Sequence, residues 1–278
     1  MNGGLEFFAV QMTLIAVVLV LHTYMGLHII RRTIIFCDLV LAQQAALGAL
    51  IGIALGVKYA TGGSYLISLA TVLAGSVLLA VVKPKNRLIP REAVIGIMFA
   101  LALVASLLLG DKISGGGAYV TKTLTGSMLW VSWNLVGITV AVYLLLIVFH
   151  YRFRDKIIGL SENPGAVEHQ RFWDFLFFAT QGIITVMVVP IAGVLLAYSF
   201  LMIPAAIAGM FSRGWIRAVL IGWIAGFIAC GAGLIASYRW NLPYGPSLVL
   251  SLGVVFFAAV LIRLSRPGTK LIAGGEGR

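Results

Sequence analysis

Between Glu6 and Glu92 the chain has a single carboxylate, Asp38, inside the run Arg31-Arg32-Thr-Ile-Ile-Phe-Cys37-Asp38-Leu-Val-Leu-Ala42-Gln43-Gln44-Ala45-Ala-Leu-Gly48. Holding a carboxylate at bilayer depth without a partner costs about 2.5–3.5 kcal/mol, so such a residue is functional by default. Asp38 is therefore expected to line or gate a polar path; the alternative is a structural pairing with Arg31 or Arg32 at the membrane boundary. At 100° per residue it shares a helix face with Ala42, Ala45, Ala49, Gly52 and Gly56, small residues that suit close packing or an open lumen. Gln43 and Gln44 point about 120–140° away. They are candidates for interhelical hydrogen bonds, with contact to a passing substrate as the second option.

His22 and His28 are six residues apart and lie on different faces of one helix, which argues against a two-histidine metal clip there. His28 could still join Asp38 across a helix pair as a metal ligand, and Met25 would add a soft donor nearby. His150 and His169 carry no ligand spacing. The sequence offers no Ser/His/Asp set, paired carboxylates, HExxH or CxxC, so a membrane-embedded enzyme is disfavoured and no resident cofactor is expected. The segment Asp111 to Tyr119 is glycine-rich but lacks the following Lys-Ser/Thr of a phosphate-binding loop, and it reads as a flexible turn.

These residues must be positioned by membrane helices. The chain has 278 residues, 61% of them hydrophobic and only 10% charged, with a mean hydropathy of +1.05. No water-soluble domain is built that way. A spanning helix needs about 20 mostly apolar residues. Runs of that kind fall near 8–29, 33–57, 64–82, 92–110, 128–149, 215–237 and 246–263. The stretch 173–212 is roughly twice one span and reads as two passes turning at Pro190-Ile-Ala-Gly193. The expected fold is an all-α polytopic bundle of nine crossings, or eight if 173–212 crosses once, in a single domain over 1–278. The first run follows Leu5-Glu6 rather than a basic stretch and is too long for a cleaved leader, so it should stay as a helix.

The net charge of +11 is explained by topology. If Arg31 and Arg32 face the cytoplasm, alternation of the spans puts all 20 lysines and arginines on that side except Lys58, Lys112, Lys122 and Arg239. The positive-inside rule then predicts an outside N-terminus and a cytoplasmic C-terminus, and no nucleic-acid partner is needed. Cys37 and Cys230 fall within spans, where they serve as small packing residues. The inner segment from Tyr151 to Arg171 reads as a surface helix and a turn, and Asp155, Glu162, Glu168 and Asp174 concentrate there, as expected of a solvated or docking face.

Two further stretches join the first. Gly193-Val-Leu-Leu-Ala-Tyr-Ser-Phe-Leu-Met-Ile-Pro204-Ala205-Ala206-Ile-Ala208 resembles the G-x-L-L-x-x-A-L-L-x-x-P-A-A-x-A stretch of zinc/manganese/iron ABC transporter permeases. Ser237-Tyr-Arg-Trp-Asn241-Leu-Pro243-Tyr-Gly245 to Leu250 resembles their S-x-x-x-D-x-P-x-G segment, and Arg31-Arg32 through Asp38 resembles their R-R-x-x-x-x-x-D entry. The order and spacing agree over most of the chain.

The resemblance implies a type II ABC importer-like permease, homodimeric around a central path, with separate cytoplasmic ATPase subunits and an extracytoplasmic solute-binding protein. A divalent transition metal would be the substrate. Pro204, Ala205, Ala206, Ala208 and Arg213 would then lie on the ATPase-coupling surface, with Pro204 bending its helix. The chain departs from the family at Ala42, where a histidine commonly follows the aspartate by four residues, and at Asn241, where an aspartate is usual. Phe36 to Gly48 is similar to a divergent branch of these permeases. The rival reading is a secondary transporter, which should carry its own ion-coupling sites and inverted repeats.

Overall fold

The computed structural model describes residues 2–82, 89–125 and 131–265. Lys83, Lys85, Arg87, Arg266, Lys270 and Arg278 of the charge pattern, and 128–130 of the expected span 128–149, lie outside the described residues. Ten α-helices follow in order: α1 (Asn2–Arg31), α2 (Cys37–Ala54), α3 (Gly62–Val81), α4 (Arg91–Lys112), α5 (Gly116–Thr125), α6 (Trp133–Arg152), α7 (Arg154–Glu162), α8 (Gln170–Phe211), α9 (Trp215–Trp240) and α10 (Tyr244–Leu264). Eight of them are long and apolar enough to cross a membrane.

The α8 segment is two passes. A straight helix of its 42 residues would be ~63 Å long, about twice the ~30 Å hydrocarbon core. Yet Asp174 near its start is ion-paired with Arg32, and the Arg213 carbonyl just past its end accepts from Arg31 Nη2 at 2.6 Å. Both ends therefore meet the same end of α1, and α8 must double back. The reversal is at Gly193, with φ 77° and ψ 165°, a region that is essentially restricted to glycine. Helical dihedrals run through both Pro190 and Pro204, so the bend expected at Pro204 is carried by Gly193 instead. Among the described residues the eight membrane-length helices, with α8 folded back on itself, thus make nine passes.

Packing around α2 decides the fate of its small residues. Ala42, Ala45, Ala49 and Gly52 are all buried, and the helix is enclosed by α3, α4 and α8. Only Gly56, past the helix end, is exposed. Within this chain the stripe is a packing face, not a lumen wall. Gly48 sets the α2/α3 separation: a methyl group there would lie 2.6 Å from the Ser68 Cα. The close approach lets Thr71 Oγ1 donate to the Gln44 carbonyl at 2.8 Å.

Outward faces are apolar. Leu101 and Leu108 of α4, Leu145 and Val148 of α6, and Leu250, Phe257 and Leu261 of α10 are exposed, as lipid contact requires. The segment expected as a flexible turn at 111–119 is corrected: it holds the start of α5. Gly110 and Gly116 bring the α4 and α5 backbones into direct contact, and that room for approach is what the glycines provide. At this end of the bundle Lys122 lies over the Tyr59 ring, 5.2 Å from its centroid. The arginine-rich end, with Arg31, Arg32 and Arg213, is the opposite one.

Candidate functional site

Asp38 is the second residue of α2. Its carboxylate therefore sits where unsatisfied N–H groups and the helix dipole favour negative charge. It is 2% exposed. Two donors reach its Oδ1 from the first limb of α8: Gln181 Nε2 at 2.6 Å and Thr185 Oγ1 at 3.1 Å. They are one turn apart on the face that α8 presents to α2. Thr185 Oγ1 also lies 2.9 Å from the Gln181 carbonyl, so its single proton is shared between two acceptors.

The Gln181 amide must turn its nitrogen toward a carboxylate oxygen, which leaves Oε1 on the far side. That Oε1 is buried and has no hydrogen-bond partner. The site thus holds a buried carboxylate with an amide N–H and a hydroxyl on Oδ1, and the unpartnered amide oxygen faces away from it; turning the amide over would be needed to bring both oxygens to one ion. Hard oxygen donors of this kind suit Mg²⁺, Ca²⁺ or Mn²⁺ better than soft, thiolate-seeking ions.

Two expectations about Asp38 are corrected. It does not pair with Arg31 or Arg32: Arg32 forms a buried ion pair with Asp174, which therefore is not on the solvated face expected for it, and Arg31 turns to Glu162 at 3.3 Å and to the Arg213 carbonyl. His28 does not share a ligand shell with it either. The His28 Nδ1 is 2.6 Å from Ser161 Oγ, and its ring packs on Trp215 at 4.2 Å and Tyr24 at 4.6 Å. The cause is the register of α1: His28 faces α7 and α9, while Asp38 is reached from α8. Among the described residues no three His, Cys, Asp or Glu side chains gather as a ligand group. Gln43 is buried, and the Gln44 side chain lies over Gly75 of α3, where an added methyl would come within 3.1 Å of its Cγ. Neither is brought to Asp38.

Gln181 and Thr185 were missed in the sequence. A signal existed, since a glutamine within the apolar stretch 173–212, with a threonine four residues on, makes a polar pair on one helix face.

The second limb of α8 ends at the arginine-rich face. Pro204 fits a glycine notch on α9, where a methyl at Gly222 would come 2.6 Å from the Pro204 carbonyl oxygen. Ala205 lies against Gly26 of α1, and Ala205 and Ala208 pack with Leu27 and Ala218. Ala206 is half-buried, and Arg213 is exposed at the turn before α9. Asn241 adopts φ 51° as the left-handed cap of α9, closed by Ser237 Oγ donating to the Leu242 carbonyl at 2.8 Å. Left-handed backbone is adopted readily by Asn and Asp alike, so Asn241 serves the turn as an aspartate would.

Comparison with known proteins agrees with this architecture. Residues 6–263 match the model of the ABC 3 transport family. An uncharacterized membrane protein of Synechocystis sp. is 28% identical over 62% of this chain and 63% of its own, so the chain spans less than two thirds of that relative. The manganese transport system membrane protein MntC of Listeria innocua is 24% identical over 74% of each chain. Among solved structures, PsaBC from Streptococcus pneumoniae in complex with Fab superposes with a TM-score of 0.76 at 19% identity, covering 95% of this chain and 92% of that one. That similarity establishes the fold.

Proposed function

Because the chain belongs to the ABC 3 transport family, we propose that it is the membrane-spanning permease of an ATP-driven importer for a divalent transition metal, with manganese favoured over zinc and iron. The observation that carries this reading is the buried Asp38 carboxylate, a hard oxygen ligand that suits a divalent cation such as Mn²⁺ better than a soft, thiolate-seeking ion, held by Gln181 and Thr185. A relative named for manganese transport supports it. The metal is cargo here, and ATP hydrolysis belongs to a separate cytoplasmic subunit.

The fold suggests how the two could be linked. One hairpin, α8, carries Gln181 and Thr185 on its first limb and Pro204, Ala205, Ala206 and Ala208 on its second, which runs into the turn that holds Arg213. Displacement of the turn at 212–214 by a bound ATPase would move the second limb against α1 and α9. Through the shared turn at Gly193 and the packing between the limbs, the donors to Asp38 would shift as well. Two states that hold Asp38 differently are what alternating access needs. In this reading two copies flank a central path in a bacterial cell membrane, with the N-terminus outside, the C-terminus cytoplasmic, and a solute-binding protein delivering the metal from outside.

The test is reconstitution of the permease with an ATPase and binding protein in liposomes. ATP-dependent uptake of Mn²⁺ is expected. Uptake driven by an ion gradient, with no ATPase present, would replace this reading with a secondary transporter.

A further inference from the structure

At the arginine-rich end, Arg31 meets three groups from three different segments. Its Nη1 is 3.3 Å from Glu162 Oε1 at the end of α7, its Nη2 donates to the Arg213 carbonyl at 2.6 Å, and its guanidinium carbon lies 3.9 Å from the ring centroid of Trp215, the first residue of α9. The circuit closes on itself, because Trp215 Nε1 donates to the same Glu162 Oε1 at 2.8 Å. One turn earlier on α1, His28 repeats the pattern: Nδ1 is 2.6 Å from Ser161 Oγ and the ring packs on Trp215 at 4.2 Å. Two adjacent α7 residues are thus tied to two α1 residues on one helix face, with the same tryptophan between them.

From this geometry we infer that Arg31 is a positioning residue that clamps the 212–214 turn and the start of α9 to α7 and α1, so that a push on the turn moves all three as one body. The inference rests on the proposed coupling role of that turn. It goes further by assigning α7 as part of the lever and Arg31 as its pin. The choice of side chain is physical. A planar guanidinium can donate in two directions while stacking on an aromatic face, whereas a lysine ammonium is a point charge that cannot do all three. Arg31 is 24% exposed at its side chain and Glu162 55%, so charge attraction alone would be weak and screened. What Arg31 supplies is the simultaneous contact.

The first test uses the full complex with ATPase and binding protein, reading ATP hydrolysed per Mn²⁺ moved. Arg31→Lys is expected to keep ATP hydrolysis within about twofold of wild type while uptake falls at least tenfold, and Glu162→Gln should move the ratio the same way by two- to fivefold. An unchanged ratio in both variants, including one where both rates fall together, overturns the clamp. ATP-driven uptake by the wild-type complex tests the importer reading separately.

The second test needs only the purified permease. Spin labels at Asp155→Cys and Arg217→Cys report the separation of α7 from the start of α9, and native Cys37 and Cys230 are buried away from the label. With the doubly labelled chain diluted in excess unlabelled chain, so that any dimer holds one labelled copy, a single narrow distance is expected in the otherwise wild-type background and a broadened one with Arg31→Lys. An equally narrow distribution in both overturns the inference whatever the importer transports.

Discussion

Gln181 donates to Asp38 across a sequence separation of 143 residues, with Nε2 and Oδ1 2.6 Å apart in a fully buried contact. This hydrogen bond joins the first turn of α2 to the middle of the first limb of α8. Bonds to a charged acceptor contribute about 1.5–3 kcal/mol. Gln181→Leu is expected to lower stability by an amount in that range, readable as a shift in thermal unfolding in detergent. Gln181→Glu, which places a second carboxylate beside the first, should destabilise the apo protein and be rescued by Mn²⁺; no rescue would remove Gln181 from the metal path.

Asp38→Ala should abolish Mn²⁺ uptake, with at least a hundredfold loss, while leaving assembly with the ATPase intact. The measurement pairs radiolabelled uptake in liposomes with co-purification of the ATPase. Normal uptake would return Asp38 to a purely structural role.

Arg32 and Asp174 form an ion pair with side chains 6% and 0% exposed. Breaking a buried pair from one side leaves a stranded charge at a cost of about 3–5 kcal/mol. Asp174→Asn should therefore destabilise strongly, and the paired replacement Arg32→Met with Asp174→Leu should recover much of the loss. A thermal-unfolding double-mutant cycle reads the difference. Equal destabilisation by the single and double variants would refute it.

Gly193→Ala forces a side chain into backbone at φ 77°, where strain of about 1–3 kcal/mol is expected. Because Gly193 is the turn between the two passes of α8, lowered yield and a lower unfolding temperature should follow. Gly209→Ala serves as control, since a methyl there meets nothing within 4 Å.

The orientation of the bundle can be read with a membrane-impermeant thiol reagent on intact cells. Lys58→Cys should be labelled from outside and Asp155→Cys only after permeabilisation, while Cys37 and Cys230 stay silent because they are buried. The reverse pattern would invert the assignment of ends.

The bilayer makes part of this protein readable from composition. A solvent that cannot bond to backbone or charge forces long apolar runs, confines arginines to helix ends, and makes a lone carboxylate such as Asp38 conspicuous. For that reason the nine membrane-length passes of the described residues, the segregation of Lys122 from the Arg31 end, and the burial of Asp38 were all legible. Even the turn near Pro190 to Gly193 was, because one membrane thickness cannot hold 42 helical residues.

Which partners meet was not legible, because contacts between helices depend on rotation and register that hydropathy does not encode. Asp38 had two plausible arginines six and seven residues before it and a histidine on the preceding helix. The tertiary structure gave it Gln181 and Thr185 instead, sent Arg32 to Asp174, and buried the small-residue face of α2 inside the bundle. A one-residue rotation of α1 by 100° would have redirected His28. That a buried carboxylate must be compensated follows from the order of residues alone, because its desolvation is large and local. Only the packed bundle decided by what, because that choice belongs to the geometry of neighbouring helices.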